Sequence, residues 1–354
     1  DEIIAVAEAA GLAAVPTGIA HGTVTVIANR VPYEVTTLRR DVETDGRHAT
    51  VAFTDDWQAD ARRRDFTINA LYCSADGAVF DPLGGAVDLE ARRVRFIGEA
   101  AQRIREDCLR ILRFFRLTAE YGVGAPDAEG LAACVREREG LARLSAERVR
   151  QELLRLLVAP RGPELVGWMF DYGLLPQVLG SAPRPTLLVR LASLEAALAL
   201  APDGILRLAA LTVEVPEDAD RLADRLRLAN DERARLGRAA ERMPELGPAA
   251  PEAAARAYLY AAGPAAFRDR VLTAWVRSGD TPGSEDWRRR LGLPGRWSPP
   301  RFPIGGGDVL ALGVPAGPRV GEILRALEAW WIAGDFAADE AALRLRLAEL
   351  ARHH

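Results

Sequence analysis

Period-two alternation of apolar and polar residues, the mark of a half-buried strand, stops at about residue 100, and beyond it only helical periodicity recurs. A chain patterned this way folds as a small strand-bearing head followed by layers of helices, which is the α+β class. We therefore expect a small mixed-sheet head over residues 1–100, a helical neck over 101–160, a helical body over 161–298 and a helical tail over 299–354. Asp1 to Gly11 reads as a helix with acids in its first turn and a closing glycine. His21 to Ala28 sets Thr23 and Thr25 against Val24 and Val26, Asn29 to Pro32 can turn, and Tyr33 to Leu38 returns as the second strand of a hairpin. Arg39 to Thr50 is charged and aperiodic and is expected to be a mobile loop. Asp55 to Ala70 is expected to be one helix, with Phe66 and Ala70 inward and Asp65 and Asn69 sharing another face. Asp76-Gly77 marks a second hairpin within Leu71 to Asp81, Asp81 to Gly85 a tight turn, and Val94 to Ile97 a short strand.

After residue 100 the helices are Leu/Ala/Arg-rich, and Leu141 to Val158, with Ser145 as a candidate cap, is amphipathic. Gly/Pro stretches at Gly180 to Pro185, Met243 to Pro251, Thr281 to Gly283 and Leu293 to Gly307 punctuate them, the last resembling a hinge.

Composition removes several kinds of chemistry. All 46 basic residues are arginine, so neither a P-loop lysine nor a Schiff base is available. Four scattered histidines do not suit a zinc site, and Cys73, Cys108 and Cys134 lack metal-ligand or redox spacing. A net charge of −4 leaves nucleic-acid binding to local arginine clusters. No apolar run approaches the roughly 18 residues of a membrane span, and no secretory signal opens the chain, so a cytoplasmic protein without a membrane partner is expected.

The chemistry concentrates in Arg103 to Arg116. As one helix, it stacks Cys108, Ile111, Leu112 and Phe115 into an apolar stripe and turns Asp107, Arg110, Arg113 and Arg116 to the opposite, free face. One carboxylate followed by three guanidinium groups suits a nucleotide, because the carboxylate accepts from exocyclic amines and arginine offers forked donors to ring nitrogens, keto oxygens or phosphates. The competing reading is a solvated face on which Asp107 and Arg110 merely pair.

Four blocks in order carry a resemblance: Arg63-Arg64-Asp65-Phe66-Thr67-Ile68-Asn69-Ala70, Asp81-Pro82-Leu83-Gly84-Gly85, Glu106-Asp107-Cys108-Leu109-Arg110 and Glu147-Arg148-Val149-Arg150-Gln151-Glu152. Together they resemble the successive motifs of class II tRNA nucleotidyltransferases, the bacterial CCA-adding enzymes and their poly(A) polymerase relatives. The resemblance implies template-independent addition of C and A to the tRNA 3′ end from CTP and ATP, with release of pyrophosphate, and no obligate protein partner. It implies that Arg64 holds the triphosphate and that Asp65 and Asn69 lie at the ribose. Asp107 and Arg110 would read the base edge, Arg113 and Arg116 would continue the contacts, and the Glu147 to Glu152 block would brace the arginine helix. In the family, a Gly-Gly loop and a strand with two Mg²⁺-binding aspartates precede the stretch that matches the start of this chain. Neither occurs in this sequence. Mg²⁺ is thus expected for the complete family protein, no metal ligand is expected within this chain, and Glu34 is the one candidate for a supporting acid. Two alternatives stay open: a poly(A) polymerase of the same superfamily, and a non-catalytic RNA- or nucleotide-binding fragment, inactive without the metal motif.

Overall fold

The computed structural model describes residues 2–18, 22–45, 48–241 and 246–353. It divides the chain into two compact units, residues 1–185 with 225–227, and residues 186–224 with 228–354.

The first unit opens with helix α1 (Glu2–Ala9) and three antiparallel strands, β1 (Ala13–Gly18), β2 (Thr23–Ala28) and β3 (Val31–Thr36). The expected hairpin is β2–β3, in register from Thr23 opposite Thr36 to Ala28 opposite Val31. His21 lies outside the described residues. Its turn residues Asn29 and Arg30 both take positive φ, 51° and 65°, as a two-residue turn that follows the strand twist requires. The alternation holds: Val24 and Val26 are buried against Ala7 of α1, while Thr23 and Thr25 bond across to Thr36 and Thr17. Arg39 to Thr50, read as a loop, is instead a strand pair, β4 (Arg39–Asp45) with β5 (His48–Phe53). Backbone pairing to a neighbour supplies the order that the aperiodic sequence does not advertise. Among the described residues all strand pairing is antiparallel and falls into three pieces, the third being β6 (Tyr72–Cys73) with β7 (Val79–Phe80) around Gly77.

The expected helix over 55–70 is also corrected. Helix α2 covers only Trp57–Arg62, capped by Asp56, and Phe66 is extended at φ −125° and ψ 148° before a single 3₁₀ turn, Thr67–Asn69. Tertiary pairing overrides helix propensity here: Thr67 N–H donates to the Arg95 carbonyl and Ile97 N–H to the Asp65 carbonyl, each at 3.0 Å. Val94 to Ile97 therefore contributes one bridge, Phe66 opposite Phe96, rather than a strand. Phe66 and Ala70 are nonetheless fully buried, through the bridge to Phe96 and the 3₁₀ turn and not through a shared helix face. The Asp81 to Gly85 turn caps helix α3 (Gly85–Glu90), with the Asp81 carboxylate accepting from Gly85 and Ala86 N–H. Gly85 is obligatory at this contact, because a β-carbon would stand 2.2 Å from the Thr67 carbonyl oxygen.

Helices α4 (Ala100–Glu106), α5 (Leu109–Tyr121), α6 (Ala128–Arg136), α7 (Ala146–Val158), α8 (Gly162–Asp171) and α9 (Leu175–Leu179) complete the first unit. Its core joins Phe66, Phe96, Phe114 and Phe115 to Ile111, Leu112, Leu153 and Leu156. Ser145 sits at the N-terminus of α7 as expected, although its hydroxyl makes no capping bond.

No strand occurs after Phe80 among the described residues. The second unit, helical throughout, is built on α10 (Pro185–Ala197), α11 (Gly204–Thr212), α12 (Pro216–Leu226), α13 (Asn230–Ala240) and α14 (Glu252–Ser278), which kinks where Gly263 precedes Pro264. It continues through α15 (Glu285–Leu291), α16 (Leu293–Arg296), α17 (Gly306–Ala311), α18 (Pro318–Ala333) and α19 (Glu340–His353). One core centres on stacked Trp275 and Trp287, another on Ile323, Leu327, Trp331 and Leu343. The expected hinge at Leu293 to Gly307 is packed down, with Phe302 on Trp331 and Trp297 on Phe336.

Candidate nucleotide site

The site is assembled from the end of α2 outward. Arg63 and Arg64 follow Asp60 by three and four residues, so one turn brings both guanidinium groups onto its carboxylate. Arg63 Nε donates to Oδ1 at 2.8 Å and Arg64 Nη2 to Oδ2 at 3.0 Å. The Tyr72 hydroxyl (2.8 Å) and the Arg39 backbone N–H (3.2 Å) complete the shell. Asp60 is 1% exposed; burial pushes its carboxyl up, but the donors from Tyr72, Arg63 and Arg39 outweigh it and hold the group below the ordinary carboxylate range. Arg64 in turn lies over the Tyr72 ring at 5.3 Å and donates to the Asn69 carbonyl at 3.3 Å, yet its side chain stays 38% exposed. The result is a surface cation whose position is fixed from beneath.

Asp65 and Asn69 meet as their spacing suggested, but across the 3₁₀ turn and not along a helix. Asn69 Nδ2 donates to Asp65 Oδ1 at 2.9 Å, and Arg113 Nε, from α5, donates to Oδ2 at 2.5 Å. Burial raises the Asp65 carboxyl, and the charge and hydrogen bond of Arg113 with the Asn69 amide more than reverse that, so it is held ionised. Arg103 makes a second tie, donating to the carbonyls of Arg63 and of Arg64 (2.6 Å for the latter).

The arginine stretch is not one helix. It breaks at Asp107, which is extended at φ −153° and ψ 104°, because the aspartate turns back onto the chain: its Oδ1 accepts from Leu109 N–H and its carbonyl from Arg110 N–H. Asp107 and Arg110 consequently do not pair with each other. Arg148 of α7 donates to Asp107 Oδ2 at 2.6 Å, whereas Arg110 Nη1 donates to Glu106 Oε2 at 2.6 Å and to the Arg103 carbonyl at 2.7 Å. Each is held from its own side, with 28% and 15% of its side chain exposed, so the two are not a freely solvated pair.

The free-face expectation fails for Arg116. Helix α5 is covered by α7 and α8 as well as by the aromatic core, so Leu109, Phe114, Leu117 and Ala119 are buried along with the expected stripe. Arg116 is buried with them, Nε on Glu152 Oε2 at 2.6 Å and Nη1 on Glu120 at 2.8 Å. Glu152 also receives Arg113 Nη1 at 3.4 Å, so α7 does brace α5. Glu34 lies exposed on β3 opposite Thr25, with no ion pair among the described residues, and is not brought to the cluster.

Sequence reasoning missed Asp60, Tyr72 and Arg103 as organisers. Asp60 carried a signal, its spacing to Arg63 and Arg64; Tyr72 and Arg103 act on partners that only folding supplies. Among the described residues no three His, Cys, Asp or Glu side chains come together at one point, and the clustered carboxylates Asp60 and Asp65 are already taken up by arginine, tyrosine and asparagine donors. These residues by themselves do not fit the Mg²⁺ that the resemblance implies.

A strand-bearing head whose Asp65, Arg63 and Arg64 are tied by Arg113 and Arg103 to the helices that follow it within the first unit has the make-up of a nucleotidyltransferase. Family profiles described as "Poly A polymerase head domain" and "Probable RNA and SrmB- binding site of polymerase A" match residues 6–95 and 126–184. The mouse (Mus musculus) mitochondrial CCA tRNA nucleotidyltransferase 1 is 34% identical over 335 residues, covering 89% of this chain and 72% of its own. The CCA-adding enzyme of Lactobacillus gasseri is 30% identical over 335 residues, covering 93% and 82%. The crystal structure of the Bacillus stearothermophilus CCA-adding enzyme in complex with CTP superposes with a TM-score of 0.71 at 28% identity, over 96% of this chain and 84% of that one. The chain belongs to the CCA tRNA nucleotidyltransferase family.

Proposed function

We propose that this protein adds C and A nucleotides from CTP and ATP to the 3′ end of tRNA without a nucleic-acid template, releasing pyrophosphate. The observation that carries this reading is the pre-positioned pair of Asp107 and Arg110, each anchored by a partner of opposite charge and each still partly exposed. An anchored carboxylate accepts from the amino group of cytosine or adenine and disfavours the keto oxygen that uracil or guanine presents there. Arg110 supplies the complementary donors, so two side chains stand in for a template. Arg64 holds the triphosphate and stabilises charge on the departing pyrophosphate. Asp65 and Asn69 set the ribose contact, and Arg113 fixes Asp65 in its ionised form. Arg116, being buried, acts as a brace. The tRNA lies along the helical body and is held through its backbone by arginines.

Incubation of a tRNA lacking its 3′ end with CTP alone tests the reading: incorporation stops after two cytidines if it is right, whereas CTP binding without incorporation favours the non-catalytic nucleotide-binding alternative and overturns it. Use of ATP alone on any RNA end would favour the poly(A) polymerase alternative instead. In parallel, Asp107→Ala should reduce the preference for CTP over UTP in binding by about tenfold or more, the value of a hydrogen bond to a charged group. The reading includes a cytoplasmic location, which fractionation would check. No helix among the described residues is long and apolar enough to cross a membrane.

A further inference from the structure

Three aromatic side chains of the first unit stand together at the surface beside Arg64. Tyr72 and Phe80 face each other as a cross-strand pair of β6 and β7, 6.4 Å apart and tilted 40°. The Trp57 indole, at the start of α2, stands at 86° to Tyr72 (4.9 Å) and at 83° to Phe80 (6.4 Å). Trp57 is 44% and Phe80 48% exposed, and neighbouring Val79 is 67% exposed. Tyr72 packs on the buried Ala61, Ala70 and Ile97, but Trp57, Val79 and Phe80 are left largely in solvent, so burial does not account for the outer rings. What the hairpin does is hold rings in a fixed corner at the edge of the nucleotide cluster. Tyr72 belongs to both: its hydroxyl donates to Asp60, and its face carries the Arg64 guanidinium.

We propose that the Trp57–Tyr72–Phe80 corner is a stacking subsite for an unpaired base at the 3′ end of the RNA acceptor. The inference rests on the tRNA-extending function proposed above and adds to it the place where the acceptor strand is gripped. The chemistry favours this occupant for two reasons. Exposed aromatic faces beside a guanidinium are what binds single-stranded RNA without regard to base identity, since every base has a π-face and every linkage a phosphate. In addition, the corner is continuous, through Tyr72 and Asp60, with the arginine assigned to the triphosphate. The strand end and the incoming nucleotide must meet there. A base-paired stem offers no free face to the indole, so the subsite serves the single-stranded end alone.

The test compares binding of the whole chain to two RNA minihelices, one with a short single-stranded 3′ tail and one blunt, in the unaltered protein and in Trp57→Ala, Phe80→Ala and Trp57→Phe. The unaltered protein should prefer the tailed helix. Trp57→Ala should cut tailed-helix affinity by about fivefold or more, the effect of losing one aromatic stack, with blunt-helix and CTP affinity unchanged. Phe80→Ala should act in the same direction, and Trp57→Phe should retain most of the preference. Retained CTP affinity in the alanine variants shows that they are folded. A tail preference that survives Trp57→Ala overturns the subsite and leaves the tRNA-extending reading standing. Failure of the unaltered protein to bind either helix overturns that reading, and the subsite with it. A Trp57→Ala effect on sedimentation in place of RNA binding would identify the corner as a contact between copies of the chain and likewise refute the proposal.

Discussion

Replacing Glu152 by glutamine tests the brace beneath the site most directly. Its carboxylate, 7% exposed, is the shared acceptor for Arg113 and Arg116, and Arg116 is itself only 7% exposed. Breaking a buried ion pair by removing one partner costs about 3–5 kcal/mol, because the remaining charge is left uncompensated. Arg116 keeps Glu120 and the glutamine oxygen still accepts one hydrogen bond, so we place the loss near the lower bound, about 3 kcal/mol. Hydrogen exchange of the α5 and α7 amides reads this as a fall in protection of roughly a hundredfold. Arg113 loses its second anchor at the same time, so KM for CTP should rise as Asp65 becomes less well placed. The double variant Arg116→Met with Glu152→Met should be the more stable of the two, since an apolar pair removes both buried charges. Protection within about 0.5 kcal/mol of the unaltered protein, or a double variant as weak as Glu152→Gln, would refute the account of α7 as an electrostatic brace.

Other outcomes follow from the same geometry. Asp60 and Asp65 are held below the ordinary carboxylate range, so the folded state binds their protons less readily than the unfolded chain. Their contribution is complete above roughly pH 4 and is lost as pH falls through the depressed native values; Asp60→Asn should flatten that acid limb in a pH series of unfolding curves. Gly85→Ala should destabilise the first unit by about 1–3 kcal/mol, as overpacking against the fixed Thr67 carbonyl, and calorimetry would measure it.

The sequence alone determined that strands come first and helices after, and the β2–β3 hairpin; it also put Phe66 with Ala70 and Asp65 with Asn69, though through a helix that the fold does not form, while the bracing Glu147 to Glu152 block came from the family resemblance. The order of elements and the hairpin follow from local periodicity and turn chemistry. Only the tertiary structure decided that α2 stops at Arg62, because residues 65–67 pair with 95–97 and long-range backbone bonds outweigh a local preference. It alone decided that the arginine stretch breaks at Asp107, that Arg110 belongs to Glu106, and that Arg116 is interior. Periodicity says which residues share a face. Which faces are then covered depends on how many elements pack around them, and α5 is enclosed by two helices far along the chain as well as by the head's phenylalanines.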